Sequence, residues 1–353
     1  NNNEYGLNTT EIEDLFASAE KEIRALLAKI NDISANAKSA KFAFGMLQKF
    51  LFSCLIDADR YDTYRFEECA IPKKDINKTA LWAELLERLE AALSDYPKVN
   101  EIDLLRNEIS NSCKVFGNCA KGVYRLFVPT GGGKTLSSLR FALEHAKRHN
   151  MDRIIYVIPF TTIIDQNAKE IKNILGHEEI ILEHHSNLLS DNQQEDYKLL
   201  TERWDSPIIL TTMVQFLDTL FSGGTQNIRR MHNLANSVII FDEIQAIPIK
   251  CISLFNSAIN FLSSICNTTI VLCTATQPTL SEVDVPLKLS PKFEIIPDMG
   301  TKFRQFKRVN VLDKTINGGY SISALKSFIL DKMQDINNML IVLNTKNAAK
   351  ELY

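Results

Sequence analysis

Apolar residues recur at helical spacing through the first third of the chain. Between residues 10 and 32 they fall at Ile12, Leu15, Phe16, Ala19, Ile23, Leu26, Leu27 and Ile30, a stripe that predicts an amphipathic helix. Phe42, Phe44, Leu47, Phe50, Leu51 and Leu55 repeat the pattern over 38–57. The segment TALWAELLERLEAALSD (79–95) predicts a third helix with Thr79 as candidate N-cap. Glu67 to Lys78 is polar, holds Pro72 and reads as a linker. After Tyr124 the texture changes. Short β-branched runs, YRLFV (124–128), RIIYVI (153–158), EIILE (179–183), PIILT (207–211), SVIIF (237–241) and TIVLC (269–273), alternate with helical segments. They are apolar on both faces, as strands covered by helices on both sides are, so they predict a parallel α/β sheet preceded by an all-α segment. Residues 282–305 lose the periodicity and read as a connector. A further α/β unit then opens with RVNVL (308–312), a helix near 321–335, a strand MLIVL (339–343) and a helix start at Thr345, and is expected to be unfinished.

Composition narrows the class. The chain has 353 residues, 45% hydrophobic and 24% charged, with 40 Lys plus Arg against 43 Asp plus Glu, a net charge of −3. These are globular proportions and exclude a disordered or disulfide-scaffold chain. No bulk basic charge advertises nucleic acid, so any such binding rests on a local surface or on backbone amides. No run reaches the roughly 18 consecutive apolar residues of a membrane span. Asn1 to Gly6 has neither a basic n-region nor an apolar h-region; lacking an initiator Met, it reads like a cut edge. Seven Cys without a CxxC pair argue against a zinc or disulfide framework. Cys54, Cys251, Cys266 and Cys273 sit in apolar runs and are expected to be buried, reduced thiols, which points to a cytoplasmic location.

The chemistry concentrates at three strand ends. Val128-Pro129-Thr130-Gly131-Gly132-Gly133-Lys134-Thr135 joins a predicted strand to a predicted helix, the setting of a Walker A loop. Successive glycines let the backbone curl so that its N–H groups point at phosphate oxygens, and the helix presents its positive end to the same anion. Lys134 would reach the β- and γ-phosphates of ATP and Thr135 would hold Mg²⁺. Val128 stands where the strict pattern has Gly. About a hundred residues on, Ser237-Val238-Ile239-Ile240-Phe241-Asp242-Glu243-Ile244-Gln245 ends a buried strand in two carboxylates. In this Walker B arrangement Asp242 serves the Mg²⁺ shell and Glu243 orients and deprotonates the attacking water. Cys273-Thr274-Ala275-Thr276-Gln277-Pro278 again follows a strand, and its hydroxyls can bond to Gln245 or Glu243.

The order PTGGGKT, IPFTTIIDQ, DEIQ, TATQP resembles motifs I, Ia, II and III of the first RecA-like domain of superfamily 2 helicases. With LEHHSN and TTMVQFLDTLF it is similar to the helicase–nuclease of type I CRISPR-Cas systems, best over 122–280. The resemblance implies a P-loop RecA-like sheet, with 1–66 as the tail of an HD-type nuclease domain, 67–98 as linker and helix, 99–300 as the first RecA-like domain and 301–353 as the start of the second. It implies Glu243, Lys134 and Gln245 as catalytic. Thr130, Gly131, Gly132, Gly133, Lys134, Thr135 and Asp242 would bind ATP–Mg²⁺, and Thr274 and Thr276 would couple the site to motion. Thr161, Thr162, Thr211 and Thr212 would hold phosphates of single-stranded DNA. LFSCLIDADRYDT (51–63) resembles the last HD helix, with Asp59, then Asp57, as a vestigial nuclease metal ligand. No His precedes it, so no nuclease activity is expected. Motif VI, source of the arginine finger, is not found, so slow ATP hydrolysis is expected of this chain. The implied partners are single-stranded DNA and the target-bound surveillance complex, Cascade, with no membrane. The alternative is a non-hydrolysing ATP-binding module that scaffolds a partner protein. A P-loop kinase leaves the Thr-rich strand ends unexplained. His184-His185 could suggest a metal pair, but no third ligand has suitable spacing and adjacent residues on an extended segment point apart. Arg106 is a candidate support for adenine. Lys302 to Arg308, and Arg229 with Arg230, read as solvated basic runs.

Overall fold

The computed structural model describes residues 9–34, 36–67, 76–185, 200–275, 283–297, 299–307, 309–334 and 336–353. The chain divides into two compact units, the first ending at Phe306 and the second spanning Lys307–Tyr353.

The first unit is built on six strands, β1 (Val123–Phe127), β2 (Arg153–Ile158), β3 (Ile181–His184), β4 (Ile208–Thr212), β5 (Ser237–Phe241) and β6 (Thr269–Thr274). They pair in the order β1-β6-β5-β2-β4-β3, every pair parallel. This is the helix-flanked parallel sheet that the two-faced apolar runs predict, RecA-like as the resemblance implies. Alternate side chains explain the pattern. Tyr124, Leu126, Ile154, Tyr156, Ile240 and Cys273 face one core, and Ile155, Val157, Ile239, Phe241 and Leu272 face the other. Helices α3 (Lys78–Ser94), α4 (Glu101–Phe116), α5 (Lys134–His149) and α6 (Thr161–Leu175) contribute to the first core. Helices α7 (Met213–Phe221) and α8 (Ile252–Ser264) pack on the second. Arg140 of α5 ties the first layer together, holding Glu90 of α3 (2.6 Å) and Ser110 and Asn111 of α4.

Helices α1 (Thr9–Ile33) and α2 (Ala37–Glu67) lie outside α8. By length and composition Ala37–Phe66 could pass for a membrane span. It is instead docked by polar anchors. Lys49 donates to the carbonyls of Leu220 and Ser222, Ser53 to the carbonyl of Arg229, and Asp57 accepts from Arg203 and Arg229. The rest of α2 leaves Phe44, Leu51, Phe52, Leu55 and Cys54 exposed. Cys54 is thus not the buried thiol its apolar neighbours predict. A helix apolar all round has only one face on the core.

Other expectations are corrected in detail. Thr79 is not the N-cap of α3. Asn77 takes that place, its Oδ1 accepting from the Ala80 N–H (3.1 Å), while the Thr79 hydroxyl donates to Asn150. Glu178–Ile180 is a 3-10 turn, so β3 starts two residues later than EIILE suggests. In the run after Met299, Phe303 stacks on Phe127 (4.6 Å) and Phe306 is buried, so its aromatics are core. Arg229 and Arg230 are also buried, on Asp57 and on Trp204 with His184.

In the second unit, α9 (Ile322–Lys332) and α10 (Lys346–Leu352) are capped by Ser321 and by the predicted Thr345. Among the described residues, 309–312 and 339–343 are not strands. Val311, Leu312, Leu340 and Val342 are exposed. The β-pattern is present, but a strand needs a paired neighbour.

Two histidines make the fold acid-sensitive. His145 donates from Nδ1 to the Gly117 carbonyl and meets the Thr269 hydroxyl through Nε2, both at 2.9 Å. Burial, then the charges of His149 and Lys121, lowers it to about 3. Burial and the Arg230 guanidinium likewise lower His184 to about 3. The unfolded chain takes up these protons near pH 6.5 and the folded chain does not. Their stabilising contribution is therefore full above pH 6.5 and lost as pH falls toward 3. Each should lose roughly 2 kcal/mol between pH 7 and 5. Urea unfolding at both pH values should show this loss, and His145→Gln should show a smaller one. Equal stability at pH 7 and 5 would contradict it.

Candidate nucleotide site

Parallel pairing puts the carboxyl ends of all six strands on one edge, and the order β1-β6-β5 makes neighbours of the three chemistry-bearing ends. The loop after β1 is pinned to β6 by the Val128 N–H donating to the Thr274 carbonyl (3.1 Å). Gly131 and Gly133 take left-handed φ of 79° each, a conformation that costs an L side chain. Gly132 answers a different need. A Cβ there would lie 2.5 Å from Val128 Cγ1 and 3.0 Å from the Pro129 carbonyl oxygen. Val128, the departure from the strict pattern, is the buried prop under the loop. Gly132→Ala should therefore displace the loop, at about 1–3 kcal/mol for overpacking, and weaken ATP binding. Val128→Ala in the same chain should recover part of that affinity. Isothermal titration of the single and double variants checks this, and an unchanged affinity in Gly132→Ala would refute it.

Helix α5 opens at Lys134 with Gly133 as N-cap and no side-chain cap, so its first N–H groups are available to an anion. Thr135 is half-buried in that first turn and Thr130 is exposed on the loop. Lys134 Nζ lies 3.2 Å from Asp242 Oδ1 and also binds Glu243 Oε1. Glu243 accepts from the Gln245 amide, whose oxygen accepts the Thr274 hydroxyl (2.9 Å). The five residues Lys134, Asp242, Glu243, Gln245 and Thr274 thus form one chain of contacts across three strand ends. Thr276 lies outside the described residues.

Burial sets the charges. It pulls Lys134 down, but the Asp242 and Glu243 carboxylates outweigh it and the ammonium is net raised. Burial pushes Asp242 up, opposed by Lys134 and reinforced by Glu243. Burial also pushes Glu243 up, but hydrogen bonds from Lys134 and Gln245 leave it net lowered. Two adjoining carboxylates held by one ammonium suit a further cation: the donor set, carboxylate oxygens with a nearby hydroxyl, is that of Mg²⁺.

Two features escape sequence patterns. Glu243 has a left-handed φ of 49°, a conformation that clusters at functional sites. Arg106 of α4 donates from Nε to the Gly131 carbonyl (2.8 Å), bracing the loop from outside. Beside it, Leu93, Tyr96, Pro97, Asn107 and Leu136 line a cleft of about 170 Å³ that reaches Gly133.

The four threonines proposed for phosphates differ. Thr161 is half-buried at the start of α6, whose N-cap Phe160 offers no side chain to the free N–H groups. The Thr162 side chain lies outside the described residues. Thr211 is buried, its hydroxyl donating to the His184 carbonyl, and Thr212 caps α7 through the Gln215 N–H. Asp59 is exposed on α2. Asp57 is consumed by Arg203 and Arg229, which removes it as a metal ligand.

Residues 115–283 match the DEAD/DEAH box helicase family. The CRISPR-associated nuclease/helicase Cas3 of Haloferax volcanii is 28% identical over 179 residues, 44% of this chain and 19% of that protein. A candidate nuclease/helicase of the same description from Methanocaldococcus jannaschii is 27% identical over 228 residues, 61% of this chain and 31% of its own. The chain thus spans less than a third of the length of either relative. Among solved structures, T. fusca Cas3 with AMPPNP is similar over 56% of this chain and 22% of its own, at 16% identity and a TM-score of 0.43. The DUF1998 helicase MrfA is similar over 80% and 40%, at 13% identity and a TM-score of 0.42. Residues 115–283 are thus similar to DEAD/DEAH box helicases, and part of the chain is distantly similar to Cas3 nuclease/helicases.

Proposed function

We propose that this chain is the ATP-binding half of an ATP-driven single-stranded DNA translocase of CRISPR interference, recruited by the target-bound surveillance complex Cascade. The observation that carries the reading is the approach of Lys134 to Asp242 at 3.2 Å, with Glu243 on the same ammonium. Lys134 bridges both carboxylates and offsets one of their two charges. When ATP enters, the loop N–H groups of Gly131 to Thr135 take the phosphates, and Lys134 turns from the carboxylates to them. Glu243, released from the ammonium, is then free to position a water. Thr135 and Asp242 would hold Mg²⁺, which would supply positive charge at the phosphoryl group. The Glu243-Gln245-Thr274 chain carries the state of the site to the end of β6, and the cleft beside Arg106 takes the adenine. The free N–H groups of α6 and the Thr161 hydroxyl hold a DNA phosphate, which explains binding without a basic face.

Hydrolysis by this chain alone is expected to be slow. An arginine finger from a second RecA-like half is worth about 10³–10⁵ in rate. Asp59 is proposed as a remnant nuclease ligand without nuclease activity. The test compares ATP turnover with and without single-stranded DNA, in this chain and in a protein extended through a second RecA-like half. The reading expects slow turnover in the first and DNA-stimulated turnover in the second. Several turnovers per second in the chain alone would overturn the half-site reading. No hydrolysis in the extended protein would favour the non-hydrolysing scaffold.

A further inference from the structure

The opposite edge of the sheet carries a cluster that the nucleotide chemistry does not use. Strand β3 is the edge strand, farthest from β1 and its phosphate loop. Its last two residues, Glu183 and His184, point to opposite sides, and the chain bends at His185. His184 accepts from Trp204 Nε1 at 3.0 Å and meets Arg230. His185 turns toward α6. There Asp165, five residues into the helix numbering from Thr161, completes a triad of ligand atoms all within 4.8 Å of one another. Sequence spacing hides this third ligand, because the fold, not the chain, brings Asp165 to His185.

The imidazole of His185 is almost wholly buried, its side chain 1% exposed. Neither ring nitrogen has a hydrogen-bond partner among the described residues. Nε2 faces Asp165 Oδ1 at 3.2 Å and Glu183 Oε2 at 4.0 Å. Buried polar nitrogens are normally satisfied; among the described residues Nδ1 has no hydrogen-bond partner, and Nε2 faces two carboxylates without a hydrogen bond to either. Lys172 holds the other oxygen of Glu183, which fixes that carboxylate and leaves Oε2 turned to the ring.

We propose that Asp165, Glu183 and His185 bind a divalent transition-metal cation of the zinc class, with Zn²⁺ bound more tightly than Mn²⁺. One imidazole nitrogen and two carboxylate oxygens form a borderline donor set that zinc accepts, with remaining positions left to water. A hard cation such as Mg²⁺ gains little from imidazole. The cation joins the end of β3 to the uncapped first half of α6, the segment proposed above to hold a DNA phosphate. The site is four strands removed from β6, and its existence does not depend on ATP or DNA binding.

The probe is Co²⁺, which reports its ligands in the visible spectrum, titrated into the nucleotide-free chain and then displaced by Zn²⁺. One equivalent of Co²⁺ should bind with a visible band and be displaced by one equivalent of Zn²⁺. Asp165→Asn, an exposed position where folding is not at stake, should weaken binding by about tenfold or more. His185→Gln should abolish the band. Cys54→Ser should leave it unchanged, excluding the exposed thiol as the ligand. Absent stoichiometric binding, or equal affinity in wild type and Asp165→Asn with the same circular dichroism, overturns the site.

Discussion

In a protein extended through a second RecA-like half, Glu243→Gln should lower ATP turnover by about 10²–10⁴-fold, the usual worth of a positioned general base. ATP–Mg²⁺ binding should persist, because Lys134 and Asp242 remain. The environment of Glu243 supports this division. Burial alone would push its carboxyl toward the neutral acid, but Lys134 and Gln245 hold it ionised, as a base must be near neutral pH. Gln keeps the size of the side chain and removes only its ability to take a proton. A second substitution separates chemistry from conformation. Glu243 occupies left-handed backbone space with φ 49°, at a cost of roughly 1–2 kcal/mol for a residue with a Cβ. Glu243→Gly should relieve that cost and raise the melting temperature while losing turnover as severely as Glu243→Gln. Turnover within a few-fold of wild type in either variant would remove Glu243 from the reaction.

The sheet and the nucleotide site were legible in sequence for one physical reason. A strand covered on both faces has to be apolar at every position, and a phosphate loop has to be rich in glycine. Both demands are local, so YRLFV, RIIYVI and SVIIF announce themselves, the first one residue late, as does GGGKT. What depends on distant chain segments was hidden. The spatial order β1-β6-β5-β2-β4-β3 leaves no mark in any one strand, yet it alone brings Thr274 to Gln245. The left-handed turn at Glu243 has no glycine to announce it. Arg106 reaches Gly131 from 25 residues away, and Asp165 meets His185 across a helix and a strand. The apolar run in α2 gave a helix correctly but said nothing of which face would be covered, so Cys54 fell on the wrong side. Sequence alone offers Asp57 as a metal ligand and Arg229 as a solvated charge because the partners of Asp57 are more than 140 residues away from it.

That buried pair carries the largest expected effect on stability. Asp57 sits in α2 with both oxygens engaged. Arg203 approaches through Nε at 2.9 Å and Nη2 at 3.0 Å, and Arg229 through Nε at 2.7 Å. Burial pushes Asp57 up, but the two guanidinium groups and His232 leave it net lowered, so it stays ionised. Arg203 also lies over the Tyr61 ring at 4.1 Å, and Arg229 is 3% exposed. Asp57→Ala would leave two cations facing each other, Arg229 with Glu202 (3.2 Å) and Arg203 with the half-exposed Asp205 (3.4 Å). Breaking a buried pair from one side costs about 3–5 kcal/mol, and here one carboxylate serves two arginines. The loss should appear in urea unfolding as a lower midpoint with α2 released from the segment around 229–232. Asp59→Ala, two residues along the same helix but exposed, should stay within about 0.5 kcal/mol of wild type. The contrast tests the assignment directly, because a metal-ligand role would place the sensitive carboxylate at Asp59. A loss below about 1 kcal/mol in Asp57→Ala would mean that the apolar contacts of Ala43, Met46 and Ile56, rather than this ion pair, hold the helix to the sheet domain.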